Sequence, residues 1–141
     1  MNLVRTVIVL DAADLESESH FWAKVLNARV LRDDDWHSIV DDTYEWRMGI
    51  QLNPNHVRPE WPTGNQQQQI HIDLHVEDPH GSHNELMAAG ATVLEESTSL
   101  DSDNGHRVYA DPAGHPFCMG WGHPTADEIR SIVKRRFGGE E

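Results

Sequence analysis

Residues 68–78 alternate between apolar and polar side chains, and the polar set contains groups that could do chemistry. The apolar set is Ile70, Ile72, Leu74 and Val76, and the polar set is Gln69, His71, Asp73 and His75. This period of two predicts a strand with one face in a core. On the other face, His71 could move a proton or bind a metal, and Asp73 is close enough to orient its imidazole. That face could equally line a cavity or be an ordinary solvated face, and hydrogen bonds to Asp73 or Gln51 could be the whole role of His71.

An internal repeat shows which elements must position these residues. Residues 8–14, a helical stretch and residues 26–31 match residues 72–78, a helical stretch and residues 89–94. The two copies lie about half the chain apart, which indicates two modules of one fold and not a solenoid of many short repeats.

Each module is predicted to contain a strand, a helix and three further strands. The predicted strands are about 3–11, 28–32, 36–41 and 45–52 in the first module, and from about 69, 91–96, 105–110 and 116–121 in the second. Asp14 is predicted to cap the first helix. Asp78 followed by Pro79 predicts the start of the second helix, and Gly90 its end. Trp22 and Trp46 fall on the faces assigned to helix–sheet packing, whereas Trp36, Trp61 and Tyr109 are left as residues that could line a pocket.

A third helix is predicted outside the repeat. Thr125 and Glu128 form a capping-box pattern, and an apolar stripe follows at helical spacing: Ile129, Ile132, Val133 and Phe137. The predicted class is therefore α+β, with two βαβββ modules and a C-terminal helical extension. The boundaries are residues 1–122 for the domain, with module one at 1–52, a Pro-rich linker at 53–68 and module two at 69–122. The tail is 123–141.

Composition limits the partners and the compartment. The 141 residues include 11 Lys and Arg against 24 Asp and Glu, for a formal net charge of −13. A negative field of this size repels nucleic acid and anionic lipid, and favours neutral or cationic small molecules. The single cysteine, Cys118, excludes an internal disulfide and fits a reducing compartment. The N-terminus lacks a signal-peptide pattern, and no apolar run approaches the roughly 20 residues needed to span a bilayer. A cytoplasmic protein is expected.

The ordered set of motifs is similar to a known superfamily. The segments are 11–14 leading to Phe21-Trp22, Gln51 ending the fourth strand, Trp61-Pro62, 68–74, 90–92 and 108–118. In this order, over about residues 4–121, they resemble the vicinal oxygen chelate superfamily, which includes glyoxalase I, extradiol dioxygenases and bleomycin-binding proteins. More narrowly, the chain resembles the glyoxalase-like domain proteins, and the resemblance implies two half-barrels that each wrap a cavity.

The resemblance also implies where metal ligands would lie. Metal-dependent members hold His, Glu or Gln at one position on the first, fourth, fifth and eighth strands. The matching positions here are Val7 or Arg5, then Gln51, His71 and Cys118, so the first position offers no ligand. Gln51 and His71 are the candidates if a divalent metal binds, but two weak ligands hold such an ion poorly. No cofactor and no glyoxalase I activity are expected, with a divalent metal as the alternative.

Two functions follow from the resemblance and the polar face together. The first is a small-molecule-binding protein whose concave cavity holds a ligand through five residues: Gln51, His71, Asp73, His75 and Cys118. The second is a lyase, isomerase or other enzyme in which His71 is the acid–base group or a ligand, Asp73 orients it and Gln51 contacts a substrate oxygen. Cys118 is interpreted as a small buried filler, because no helix N-terminus or cation is evident beside it.

A homodimer is expected in either case. A half-barrel leaves a long strand edge, which natural proteins rarely leave bare, and the apolar stripe of the tail helix must bury against its own barrel or a partner. The sequence leaves open whether the two modules pair within one chain or between two.

Overall fold

Each half of the chain folds into the same βαβββ unit, and the computed structural model describes residues 1–138. In the first half the elements are β1 (Ile8–Ala12), α1 (Leu15–Val25), β2 (Arg29–Arg32), β3 (Trp36–Val40) and β4 (Trp46–Leu52). In the second they are β5 (Ile72–His75), α2 (Pro79–Ala89), β6 (Thr92–Glu95), β7 (Gly105–Ala110) and β8 (Pro116–Trp121), and α3 (Ala126–Phe137) follows. The predicted α+β class, with two modules and a helical extension, is confirmed.

The two sheets have the same topology. The first sheet has the order β1-β4-β3-β2 and the second has the order β5-β8-β7-β6. In each sheet the first strand runs parallel to its neighbour, and the remaining pairs are antiparallel. β1 and β5 are therefore edge strands of their own sheets.

The helix ends are specified by local sequence, as predicted. The Asp14 carboxylate accepts a hydrogen bond from the Ser17 N–H at 3.1 Å, and the Asp78 carboxylate accepts one from Gly81 at 3.0 Å. α2 ends at Gly90, whose φ of 114° is a left-handed conformation that a residue with a Cβ rarely adopts.

The core joins the two halves through α1. Phe21 and Trp22 are fully buried on this helix, and their rings lie 5.8 Å and 5.3 Å from the ring of Phe117 on β8. Leu10, Ile39, Met48 and Ile50 pack in the same cluster from the first sheet. The helices α1 and α2 thus cover one face of the sheets, and the opposite face, called the outer face below, is left to carry the polar side chains.

The edge strands are shorter than predicted. β1 begins at Ile8 and not near residue 3, and β5 begins at Ile72 and not near residue 69. Ile72 pairs with Phe117, just after Pro116 at the start of β8, and proline has no N–H with which to extend the ladder. Ile70, predicted to face the core, is consequently 74% exposed.

Trp46 does not pack between helix and sheet, so that prediction is wrong. The β3–β4 register shifts at Ile39 and Val40, and a shift by one residue turns side chains to the other face. Trp46 instead packs edge-to-face against Trp36, with ring centroids 6.2 Å apart. Tyr109, left as a potential pocket residue, is fully buried in the core.

The tail helix forms where predicted, with the complete capping box between Thr125 and Glu128. None of its residues is buried, so within residues 1–138 it does not pack on its own barrel as one alternative expected. Residues 139–141 of the predicted tail lie outside the described residues. Among the helices that are described, none combines the length and apolar character that crossing a membrane requires.

Candidate functional site

The outer face of the second sheet brings three of the predicted site residues together. β5 pairs with β8 so that Asp73 lies opposite Cys118. His71 precedes Asp73 by two residues and faces the same side, because Ile72 and Leu74 between and after them pack against the core. The alternation in the sequence thus places an imidazole, a carboxylate and a thiol on one surface.

The three side chains form a compact and accessible cluster. His71 Nε2 lies 3.3 Å from Asp73 Oδ1. One donor atom from each of His71, Asp73 and Cys118 lies within 4.8 Å of the other two. The side chains of His71 and Asp73 are 47% and 51% exposed, so a ligand can reach them from solvent.

The thiol of Cys118 is held in its protonated form. Burial of the half-buried side chain raises its pKa to about 11, and the nearby Asp73 carboxylate contributes in the same direction. The thiolate is the nucleophilic form of cysteine, so Cys118 is a weak nucleophile near neutral pH. In this cluster it can donate its proton to Asp73 or, once deprotonated, bind a metal.

A cavity of about 490 Å³ opens over this cluster. Besides the three clustered residues, it is lined by His106 on β7, Trp121 on β8 and His123. The space is large enough for a small organic molecule.

His123 is a site residue that sequence reasoning missed. It follows β8 and folds back over the sheet at Gly120, where an added Cβ would lie 2.7 Å from His123 Nε2. Its ring stacks on the ring of His75, with centroids 3.9 Å apart and planes 13° apart. Gly120 was the sequence signal that could have revealed this contact, because a glycine within a strand often marks a place where another group approaches the backbone closely. His75 therefore borders the cluster as a stacking partner of His123.

Gln51 stands apart from this cluster. It lies on the outer face of the first sheet, where β4 pairs it with Asp11 on one side and Trp36 on the other. It does not line the cavity over the second sheet. The structure thus brings together His71, Asp73 and Cys118, with His75 beside them, and leaves Gln51 on the other sheet.

The donors present fit a metal only in part. The positions implied by the superfamily give an incomplete set of donors here, because neither Val7 nor Arg5 offers a ligand and Gln51 does not line the cavity that holds His71 and Cys118. The His71 imidazole, the Asp73 carboxylate and the Cys118 sulfur are close enough to share one ion, and nitrogen with sulfur donors suits zinc. Metal binding would then require loss of the thiol proton, so its affinity would rise with pH.

A second group of potential ligands lies between the modules: the buried Glu18 and Asp111 and the half-buried His115. The carboxylate oxygens of Glu18 and Asp111 already accept hydrogen bonds from Trp22 Nε1–H and from the backbone N–H groups of Ala113 and His115. His115 Nε2 lies 2.7 Å from the carbonyl oxygen of Asp11. These atoms are occupied by interactions within the protein, which assigns the group a structural role.

Comparison with solved structures supports the fold. The fosfomycin resistance protein FosX from Listeria monocytogenes is similar with a TM-score of 0.64 at 16% identity, over 91% of this chain and 98% of that one. FosX from Mesorhizobium loti gives 0.62 at 14% identity, over 92% and 99%. A glyoxalase/bleomycin resistance protein/dioxygenase family enzyme from Burkholderia phytofirmans gives 0.59 at 13% identity, over 82% and 95%. No curated protein matches the chain.

The family is shown by sequence. The family model described as "Glyoxalase-like domain" matches residues 7–120, which include both modules and every residue of the cluster on the second sheet. The structural neighbours come from the vicinal oxygen chelate superfamily, as the sequence motifs predicted. The chain belongs to the glyoxalase-like domain family of that superfamily.

Proposed function

We propose that this protein binds a neutral or cationic small molecule in the cavity over its second sheet. The observation that carries the proposal is the convergence of His71, Asp73 and Cys118 within 4.8 Å at an accessible surface. An imidazole, a carboxylate and a thiol side by side offer both donors and acceptors to a polar ligand.

The charge of the chain supports this class of ligand. A net charge of −13 lowers the local concentration of anions and raises that of cations. Asp73 adds a carboxylate inside the cavity, and a cationic group can bind beside it.

Calorimetric titration tests the proposal with two probes of opposite charge. Bleomycin represents cationic ligands, and fosfomycin represents the anionic drug resisted by the FosX proteins. We expect bleomycin to bind and Asp73→Asn to weaken that binding by about tenfold, the equivalent of one lost charge-assisted hydrogen bond. His80→Ala is the control, because His80 lies on α2 and pairs with Asp101 outside the cavity. Tighter binding of fosfomycin, or an Asp73→Asn variant that binds bleomycin like the parent, would contradict the proposal.

An enzyme that acts on a small molecule is the second candidate. The 3.3 Å contact between His71 Nε2 and Asp73 Oδ1 favours it, because a carboxylate at this distance orients an imidazole for proton transfer. In this reading His71 accepts or donates the proton at the substrate, and Asp73 positions the ring. A divalent metal on His71, Asp73 and Cys118 would polarise a substrate oxygen. A FosX structure from Listeria monocytogenes is a complex with Mn(II), which supports a divalent metal in this candidate.

Cobalt substitution tests whether the second candidate includes a metal. If Cys118 binds metal, Co²⁺ added to the purified protein gives the charge-transfer absorption of a cobalt–thiolate bond, which Cys118→Ser abolishes and His71→Ala weakens. His80→Ala again serves as the control. Absence of this band together with a metal-free purified protein favours binding without metal chemistry.

We further propose that the protein acts as a homodimer. Within residues 1–138, β1 and β5 are each hydrogen-bonded on one side only, and bare strand edges are rarely tolerated. Light scattering at micromolar concentration is the test: a dimeric mass is expected, and a monomeric mass contradicts this part of the proposal.

A further inference from the structure

We propose that α3 docks on a second copy of this chain, and that its receptor is the outer face of the first sheet in that copy. The occupant and the receptor are both exposed surfaces of the same chain that do not touch each other. The inference is independent of the ligand proposed above, because it involves neither the cavity nor the residues that line it.

The docking surface of α3 is its apolar stripe. The stripe consists of Ile129, Ile132, Val133 and Phe137, which are 50%, 41%, 48% and 76% exposed. They recur at the spacing of one helical face, and the opposite face carries polar residues such as Ser131. A helix of 12 residues is marginal in water without tertiary packing, so an unburied stripe on a fully capped helix indicates a missing partner.

The charge of α3 is opposite to that of the rest of the chain. The helix carries four basic residues, Arg130, Lys134, Arg135 and Arg136, against two acidic ones, Asp127 and Glu128. The whole chain has 11 basic and 24 acidic residues, so the remainder is strongly acidic. Three of the basic residues lie in the last turn, beside Phe137. An acidic surface with an apolar centre is therefore the complementary receptor.

The outer face of the first sheet has this composition. Trp36 lies over Gly49 and packs against Trp46. Leu31, which pairs with Ser38 on the same face, is 60% exposed. The turn between β2 and β3 supplies an acidic border of three consecutive exposed residues: Asp33, Asp34 and Asp35. An apolar patch with carboxylates at its edge matches an apolar stripe with basic residues at its end.

Two copies can satisfy both surfaces at once. α3 follows β8, so it begins beside the second sheet, while the receptor lies on the first. Exchange of the two tail helices between copies buries both stripes and both receptor faces around one twofold axis. Such closed exchange also leaves no free receptor on which further copies could polymerise.

Crosslinking between two differently marked chains tests the arrangement. In a Cys118→Ser background, one chain carries Ile132→Cys and the other carries Leu31→Cys, and a short bismaleimide joins cysteines that lie close together. We expect a crosslinked dimer from the mixture and little from either chain alone. Strong crosslinking of the Ile132→Cys chain with itself would indicate helix-to-helix pairing and overturn the proposal. A chain with both substitutions that crosslinks internally as a monomer would indicate docking within one chain, which also overturns it.

A matched pair of variants measures the contribution of the stripe. Ile132→Asp places a charge in the stripe, whereas Ser131→Asp places the same charge on the opposite face of α3. We expect Ile132→Asp to weaken self-association by at least about tenfold and Ser131→Asp to change it little. Mixing Ile132→Asp chains with Leu31→Asp chains should recover part of the dimer, since one of the two contacts is then intact. Equal effects of the two α3 variants, or no recovery on mixing, would refute the docking.

Discussion

The carboxyl groups of Glu18 and Asp111 accept hydrogen bonds from one shared donor, the Nε1–H of Trp22, at 3.1 Å and 3.0 Å. Glu18 comes from α1 in the first module, and Asp111 from the turn before β8 in the second. Both residues are fully buried. One oxygen of each carboxyl group lies within 4.8 Å of an oxygen of the other. Two buried carboxylates this close together cannot both ionise without a large energetic cost, so the pair retains a proton. Burial, and after it the neighbouring Asp111 carboxyl, together raise the pKa of Glu18 to about 10.

This shared proton predicts how stability depends on pH. A carboxyl group whose pKa is raised on folding stabilises the protein fully below its unfolded pKa, and this contribution is lost as pH rises toward the folded pKa. The pH window in which this stability is lost runs from the ordinary Glu pKa of 4.5 to the folded pKa of about 10. In Glu18→Gln a neutral amide replaces the protonated carboxyl, so this pH dependence of stability disappears. We expect the free energy of unfolding of the parent to fall relative to Glu18→Gln by up to about 1.4 kcal/mol per pH unit.

Denaturant unfolding of both proteins at several pH values from 6 to 9 measures this difference. Because the groups outside the pair titrate in both proteins, the difference between the two curves reports on the Glu18–Asp111 pair. Parallel curves would show that the pair is not protonated in the folded state.

Trp22→Phe tests the shared donor. The substitution keeps a ring in the core and leaves a small cavity, but it removes the one side-chain N–H within residues 1–138 that donates to the pair. We expect a loss of about 3 kcal/mol in the free energy of unfolding, from an unsatisfied buried polar pair and lost packing. Trp46→Phe on the outer face is the matched control and should cost under about 1 kcal/mol. Similar losses for both variants would contradict the role given to the Trp22 indole.

Local sequence patterns predicted most of the fold. The features that were missed depend on strand register and on contacts between residues far apart in the chain. Asp14, Asp78 and Gly90 act within a few residues, so their caps could be inferred directly. His71 and Asp73 could be placed on one face because the period of a strand is two. Burial of Glu18 could not be inferred, since an acidic residue in the first turns of a helix is ordinarily solvated. Its partner, Asp111, lies 93 residues further along the chain.

The outer faces illustrate the same limit. A one-residue register shift between β3 and β4 moved Trp46 to the face opposite the predicted one. His123 lies beyond the end of β8 and reaches the site only because Gly120 leaves room for its ring. A periodic sequence pattern predicts neither the β3–β4 register shift nor the way in which the chain after β8 folds back over the sheet.

Gly120→Ala tests the position of His123. The new Cβ would lie 2.7 Å from His123 Nε2 and 3.6 Å from His75 Cδ2, so the flexible His123 side chain must move away. We expect the stack on His75 to be lost with a stability change below about 1 kcal/mol. In NMR spectra the imidazole proton shifts of His75 should move toward those of an unstacked ring, with those of His80 on α2 as the internal control. Unchanged His75 shifts would indicate that the stack is not present in solution.

The reactivity of Cys118 tests the electrostatics of the candidate site. Burial and the Asp73 carboxylate together raise the pKa of the thiol to about 11, so alkylation by iodoacetamide should be slow near neutral pH and accelerate only at high pH. Asp73→Asn removes the negative charge but leaves the burial, so the midpoint of the pH–rate profile should fall part of the way toward the ordinary thiol value. Asp101→Asn, which alters an exposed carboxylate paired with His80, should leave the midpoint in place. A midpoint that does not respond to Asp73→Asn would mean that Asp73 and Cys118 are not neighbours in solution, and the cluster with His71 would then lose its centre.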